Sequence, residues 1–235
     1  MAELYKDGVT FFPQFLSRNE IEEIKLELEK YNCFDPWHRE IGEFTYTQNP
    51  VGTHVGQIRL AATIEILHKL ALDSRIIDVV TAYFGCKPYL DSIQAWWSFS
   101  GNDQPQEAEN FHRDNDAIRF LKFFLYVTEV DDLNGPHIFV LGSHREAKLL
   151  ERRRLNDEEV ADTFGNHRIR SFTGKSGDAF IEDTYGIHKG QLPVIGKRLL
   201  VQFRYTTTES VFRSPLIVST SRYYQPSRIT SLLYE

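Results

Sequence analysis

The sequence predicts a mainly β protein with flanking helices, its core a double-stranded β-helix of the jelly-roll, cupin-like kind. Two observations carry this expectation. Helical periodicity is concentrated at about residues 17–85, whereas about residues 87–207 run through short aromatic and β-branched segments divided by turn clusters. Second, a group of polar residues far apart in the chain, His112, Asp114 and His188, forms one site only if distant strands meet at a common mouth, as they do in such a barrel.

Each element has a local reason. Residues 8–12 read as a short strand. Ser17-Arg18-Asn19-Glu20 fits a capping box, and the helix after it puts Ile21, Ile24, Leu28 and Tyr31 on one face. A second helix is expected over residues 61–72. A third starts at Ser74, buries Ile77, Val80 and Phe84, and stops at Gly85. Residues 89–100 form an aromatic strand that turns at Ser100-Gly101-Asn102. Trp96 and Trp97 must point to opposite faces of it, one into a cavity and one into the core. Residues 117–130 are a long apolar segment, followed by the turn cluster Asp131-Asp132-Leu133-Asn134-Gly135-Pro136 and a strand at 138–141. A helix is expected over 146–154, a short one from Asn156, and strands over 167–172, 178–182 and 198–206. With no repeat, low-complexity tract or linker, residues 1–235 read as a single domain.

Composition narrows the class. The 235 residues suit one large domain or two small ones, and 41% hydrophobic content with 17 Phe and 11 Tyr supplies an aromatic core. The formal charge of −6 disfavours a non-specific nucleic-acid binder. Cys33 and Cys86 show no metal or redox spacing, so no disulfide framework is expected. Residues 1–7 lack an apolar signal core, and no apolar run reaches membrane length. The expectation is a protein of the cytoplasm that acts on a small molecule, with neither nucleic acid nor membrane as partner; its oligomeric state is not legible.

His112-Arg113-Asp114 is the chemical centre of this reading. A His and an Asp two apart point the same way on extended backbone. A second His from a distant strand, His188, completes two imidazoles and one carboxylate, which can hold Fe(II) and leave positions open for a co-substrate and O₂. Arg198 adds a cation whose fork geometry grips a carboxylate. A lone H-x-D arises easily by chance. His38-Arg39-Glu40 and His144-Arg145-Glu146 have the related H-x-E form. Context separates them: His144 follows Leu141-Gly142-Ser143, where a turn or capping role fits better, while His188 sits between Gly186 and Gly190 after a strand-like segment. Asp116 shares the strand side of Asp114 and competes with it as a ligand.

The ordered motifs Asp7-Gly8-Val9, Phe15-Leu16-Ser17, Phe111-His112-Arg113-Asp114, Val130 to Pro136, Val140-Leu141-Gly142-Ser143-His144-Arg145, Gly177-Asp178-Ala179, His188 and Arg198 together resemble the phytanoyl-CoA dioxygenase family of Fe(II)/2-oxoglutarate oxygenases. The resemblance spans about residues 7–205. It implies iron on His112, Asp114 and His188, with Asp114 preferred over Asp116, and the distal carboxylate of 2-oxoglutarate on Arg198. It also implies an aromatic facing the co-substrate, for which Phe124 is the candidate, and a polar co-substrate contact at Gln94. Lys122 shares the face of Phe124. It either reaches 2-oxoglutarate or an acidic substrate group, or snorkels at the sheet edge. Arg204 reads as an outward strand residue. Residues 145–170, with Arg152-Arg153-Arg154, form either a lid that receives an anionic substrate or a solvated helix with internal ion pairs. Because an acid stands at Asp114, where related halogenases carry a small residue, hydroxylation or a related oxidation is expected over halogenation. A cupin-like metal enzyme without 2-oxoglutarate and a non-catalytic jelly-roll binding protein are the alternatives.

Overall fold

The computed structural model describes residues 1–209; residues 210–235 of the expected domain lie outside the described residues. The chain runs α1 (Ala2–Asp7), β1 (Val9–Phe12), α2 (Arg18–Leu28), β2 (Cys33–Phe34), β3 (Glu43–Phe44), β4 (Val55–Ile58), α3 (Glu65–Ala71), α4 (Ser74–Phe84) and β5 (Tyr89–Phe99). It continues through β6 (Phe120–Tyr126), β7 (His137–Val140), α5 (Asp157–Phe164), β8 (Ile169–Phe172), β9 (Ala179–Glu182), β10 (His188–Gly190) and β11 (Lys197–Thr206). A large antiparallel sheet has the order β1-β9-β6-β11-β5-β4-β2-β3, and a small one the order β10-β7-β8. This is the jelly-roll arrangement that the sequence predicts.

Strand alternation explains how the two faces of the large sheet differ. On its outer face Leu121, Phe123 and Leu125 of β6, Ala95 and Trp97 of β5, and Leu199, Val201 and Phe203 of β11 form one buried cluster with Ile21, Ile24 and Leu28 of α2 and Ile77, Val80 and Phe84 of α4. On its inner face Phe124, Tyr126, Phe180 and Leu200 meet Phe139 from the small sheet. The inner positions above that apolar layer are polar. The register puts Lys122 opposite both Glu182 and Arg204, and Gln202 opposite both Gln94 and Phe124. α5 covers the far side of the small sheet through Val160 and Phe164, against Ile138 and Val140.

The capping box forms as expected: Ser17 Oγ accepts from Glu20 N, and the Glu20 carboxylate accepts from Ser17 N at 2.8 Å. Gly85 ends α4 in the left-handed region, φ 72°. Two helix expectations need correction. Residues 61–72 split at Ile64, which is extended and buried, into a 3₁₀ turn (Ala61–Thr63) and α3. Residues 146–154 form no helix. The carbonyls of Glu146, Lys148 and Leu149 accept hydrogen bonds from the Arg113 guanidinium, so those acceptors are diverted, and Leu149 has φ 50°. Cys33 is buried and Cys86 exposed, both free. No helix among the described residues is long and apolar enough to cross a membrane.

Candidate metal centre

His112 follows a 3₁₀ turn (Glu107–Glu109) and bridges to the start of β10: His112 N donates to His188 O at 2.9 Å, and His188 N to His112 O at 3.0 Å. Asp114 N donates to Thr184 O at 2.9 Å, which holds the next residues of this extended segment against the same loop. Backbone pairing therefore sets the two histidines side by side, with ring centroids 4.3 Å apart.

The side chains converge. His112 Nε2 lies 3.5 Å from Asp114 Oδ1, and His188 Nε2 lies 3.4 Å from Asp114 Oδ2. The three ligand-type atoms all lie within 4.8 Å of one another. Each imidazole is oriented by its other nitrogen. His112 Nδ1 is 2.9 Å from Asn110 O, and His188 Nδ1 is 2.9 Å from Gly186 O. A carbonyl only accepts, so each Nδ1 carries the hydrogen and each Nε2 presents a lone pair to the centre. Two such nitrogens and a carboxylate fit a divalent transition metal. The titrations are coupled to this packing. Burial, helped by the neighbouring His188, lowers His112 to about 4. Burial opposes charge on His188, but the Asp114 carboxylate outweighs it and raises that group. Burial also works against the Asp114 anion; Lys122 and His188 overcome it and hold the carboxyl well below its ordinary range.

Lys122 is buried, which rules out the snorkelling surface role, and its ammonium sits 2.5 Å from Asp114 Oδ2 and 3.0 Å from Asp116. Asp116 is taken up by this pair and by Arg204 at 2.6 Å. Arg204 is also not outward: it is buried on the inner face and paired with Asp91 as well as Asp116. The period-two pattern from Arg198 through Leu200 and Gln202 already assigns it to that face.

Beside the triad is a cavity of about 220 Å³, lined by Gln94, Trp96, Lys122, Phe124 and Arg198 along with all three triad side chains. Trp96 faces this cavity and Trp97 the core. Arg198 is buried. Its Nη1 donates to Gly135 O and its Nη2 to Ser98 Oγ at 3.1 Å, while Nε has no partner. Gln94 Oε1 accepts from Gln202 Nε2 at 3.0 Å. The two decoys lie apart from this group: His38 pairs with Glu40 at 3.3 Å, and His144 turns toward Tyr5 O.

Three neighbours escape a motif-based reading. Gln202 was available from alternation along β11. His137 opens β7, one residue earlier than the sequence suggests; its ring stacks on His188 at 5.6 Å and its Nε2 lies 2.7 Å from Glu182 Oε2. Glu182 is fully buried, and burial raises its carboxyl to about 8. Burial, reinforced by His188 and Arg198, pushes His137 well below its usual range.

Solved structures with this fold include the non-heme alpha-ketoglutarate-dependent carbocyclase SnoK from nogalamycin biosynthesis. It superposes with a TM-score of 0.67 at 16% identity, over 96% of this chain and 89% of that one. EctD from S. alaskensis with 2-oxoglutarate and 5-hydroxyectoine gives 0.66 at 19% identity, over 97% and 80%. HygX from Streptomyces hygroscopicus with nickel, 2-oxoglutarate and hygromycin B gives 0.63 at 18% identity, over 89% and 88%. At these identities the likeness is one of fold. No curated protein matches in sequence. The family model described as Phytanoyl-CoA dioxygenase (PhyH) matches residues 4–191, which takes in the whole triad, and on that match the chain belongs to the phytanoyl-CoA dioxygenase family.

Proposed function

We propose that this protein is an Fe(II)- and 2-oxoglutarate-dependent oxygenase that hydroxylates a small molecule and releases succinate and CO₂. The observation that carries the reading is the convergence of His112 Nε2, Asp114 and His188 Nε2 beside a cavity that holds a buried arginine with an unpartnered Nε. The neighbours solved with iron, nickel or 2-oxoglutarate support it by analogy of fold.

His112 and His188 would supply neutral nitrogen donors and Asp114 the anionic oxygen. Fe(II) held there supplies the activation of O₂ coupled to oxidative decarboxylation of 2-oxoglutarate. Arg198 would pair with the far carboxylate of the co-substrate, its plane fixed by Gly135 O and Ser98 Oγ. Gln94 would offer a polar contact, and Phe124 an apolar wall that excludes water. Lys122 would act on the co-substrate only indirectly, since its ammonium is engaged by Asp114 and Asp116. Neighbours named as a carbocyclase and an epimerase carry other outcomes on this fold. The carboxylate at Asp114, where a halogenase would leave room for chloride, argues against halogenation and for hydroxylation or a related oxidation.

The test is anaerobic titration of the metal-free protein with Fe(II), then 2-oxoglutarate, followed by the visible charge-transfer band of the chelate. A band that saturates at one equivalent supports the reading. Iron binding without the band would sink the 2-oxoglutarate part and favour a cupin-like metal enzyme. No iron binding would remove the triad and favour a binding protein.

A further inference from the structure

A second cavity, of about 440 Å³, shares Ala108, His112 and Asp114 with the first and is otherwise lined by different residues. Its wall is built from Arg113 and the stretch Arg152-Arg153-Arg154. The acids that face it each have a cationic partner, although Arg204 is shared with Asp91. Asp114 pairs with Lys122, and Asp116 with Lys122 and Arg204. Arg153 is taken by Glu159, and Arg154 by Glu107 at 2.7 Å. Two cations of the wall have no carboxylate partner. Arg113 donates to five backbone carbonyls, those of Ser143, Glu146, Lys148, Leu149 and Tyr185, and to no carboxylate. Arg152 is exposed and has no hydrogen bond or ion pair among the described residues.

The carbonyl bonds to Arg113 give this wall a fixed shape. They tie residues 146–149 down beside Asp114, so the arginine stretch that follows is held over the cavity and not wound into a helix. A cavity with surplus positive charge, adjoining the reactive centre and not lined by Arg198, selects for negative charge in whatever enters it.

We infer that this outer cavity receives the organic substrate, and that the substrate carries a carboxylate or phosphate group that pairs with Arg152. The inference rests on the oxygenase reading of the inner cavity for its link to chemistry, but the anion site itself stands on the charge arrangement alone. A guanidinium offers two parallel donors to either group, so the shared chemistry is an oxyanion on a small molecule.

Two measurements decide it. In the first, metal-free protein is labelled with phenylglyoxal and each arginine is read by peptide mass spectrometry, with inorganic phosphate or butyrate as the probe. Labelling of Arg152 should slow several-fold with one of the two probes, which identifies the oxyanion, while the exposed Arg18 on α2 is unaffected. No protection by either, or equal protection at Arg18, overturns the inference. In the second, compounds that stimulate succinate release from the Fe(II)-loaded protein are compared with their uncharged esters. The anionic forms should be used in preference, and Arg152→Gln should raise their KM about tenfold, the loss of one charge-assisted contact, with the 2-oxoglutarate chelate band unchanged. Equal use of an ester, or an unmoved KM, overturns it. Loss of the chelate band in the unaltered protein would instead defeat the oxygenase reading and leave the labelling result standing.

Discussion

Arg198 and Glu182 are both buried ionisable residues of the inner face, and they call for different tests. Arg198 is buried and keeps its Nε unpartnered at the wall of the cavity, a costly state for a charged group unless a ligand completes it. Arg198→Ala should weaken 2-oxoglutarate binding about 10- to 100-fold, the worth of a charge-assisted pair, and leave Fe(II) affinity in place. Titration of the chelate band measures both, and unchanged co-substrate affinity would remove the assignment. Glu182 is the reverse case, a carboxyl whose burial raises it from 4.5 to about 8. The folded state therefore holds a proton that the unfolded chain has lost between those two values. Its contribution is fully present below 4.5 and is lost as pH rises toward 8. In the metal-free protein, Glu182→Gln should raise the melting temperature by an amount that grows across that window. A difference constant with pH would contradict the assignment. The triad was legible because period two and a resemblance both marked it. The neighbours His137 and Glu182 carry no motif, and only the register of β7 and β9 brings them to His188.

Among the elements, the turn between β6 and β7 serves the site through its backbone. Gly135 has φ 86°, and a Cβ there would lie 2.6 Å from Gln191 O; its own carbonyl accepts from Arg198. Gly135→Ala should lower stability by about 1–3 kcal/mol, the usual cost of such a backbone conflict, and also weaken 2-oxoglutarate binding. Denaturant unfolding and the chelate titration test the two effects separately. An alanine variant that matches the parent in both would show that the turn adapts freely. The sequence marked this turn correctly through its Asp, Asn and Gly residues. It misassigned residues 146–154, where helix-forming residue types are overridden by a single long-range partner, Arg113, that no local pattern announces. The two-residue strands β2 and β3 also left no periodic trace, being too short to repeat.

Across the whole molecule, Arg113 links three distant parts of the chain: the metal-motif segment, the stretch 143–149 and the loop at Tyr185, over whose ring its guanidinium also lies at 5.3 Å. Arg113→Ala should free residues 146–154. Amide exchange and proteolytic cleavage there should rise many-fold, while the outer face of the large sheet stays protected. Unaltered exchange in that stretch would mean that other contacts suffice. The jelly-roll class was readable from the alternation of turn clusters and aromatic strands. The pairing of the strands was not, because β5 and β11 are separated by most of the core and meet only through register.

β11 is the last described strand in the chain, yet it lies in the middle of the large sheet, hydrogen-bonded to β5 on one side and β6 on the other. A growing polypeptide can pair β4 with β5 and, once β9 emerges, β6 with β9, but it holds an open slot between these halves until residues 197–206 leave the ribosome. The slot exposes two long strand edges, one of them the almost wholly apolar Phe120–Tyr126. Fragments that end before residue 197 should thus be insoluble rather than merely inactive, and chaperone demand in the cell should fall abruptly once residues 197–206 are free to pair.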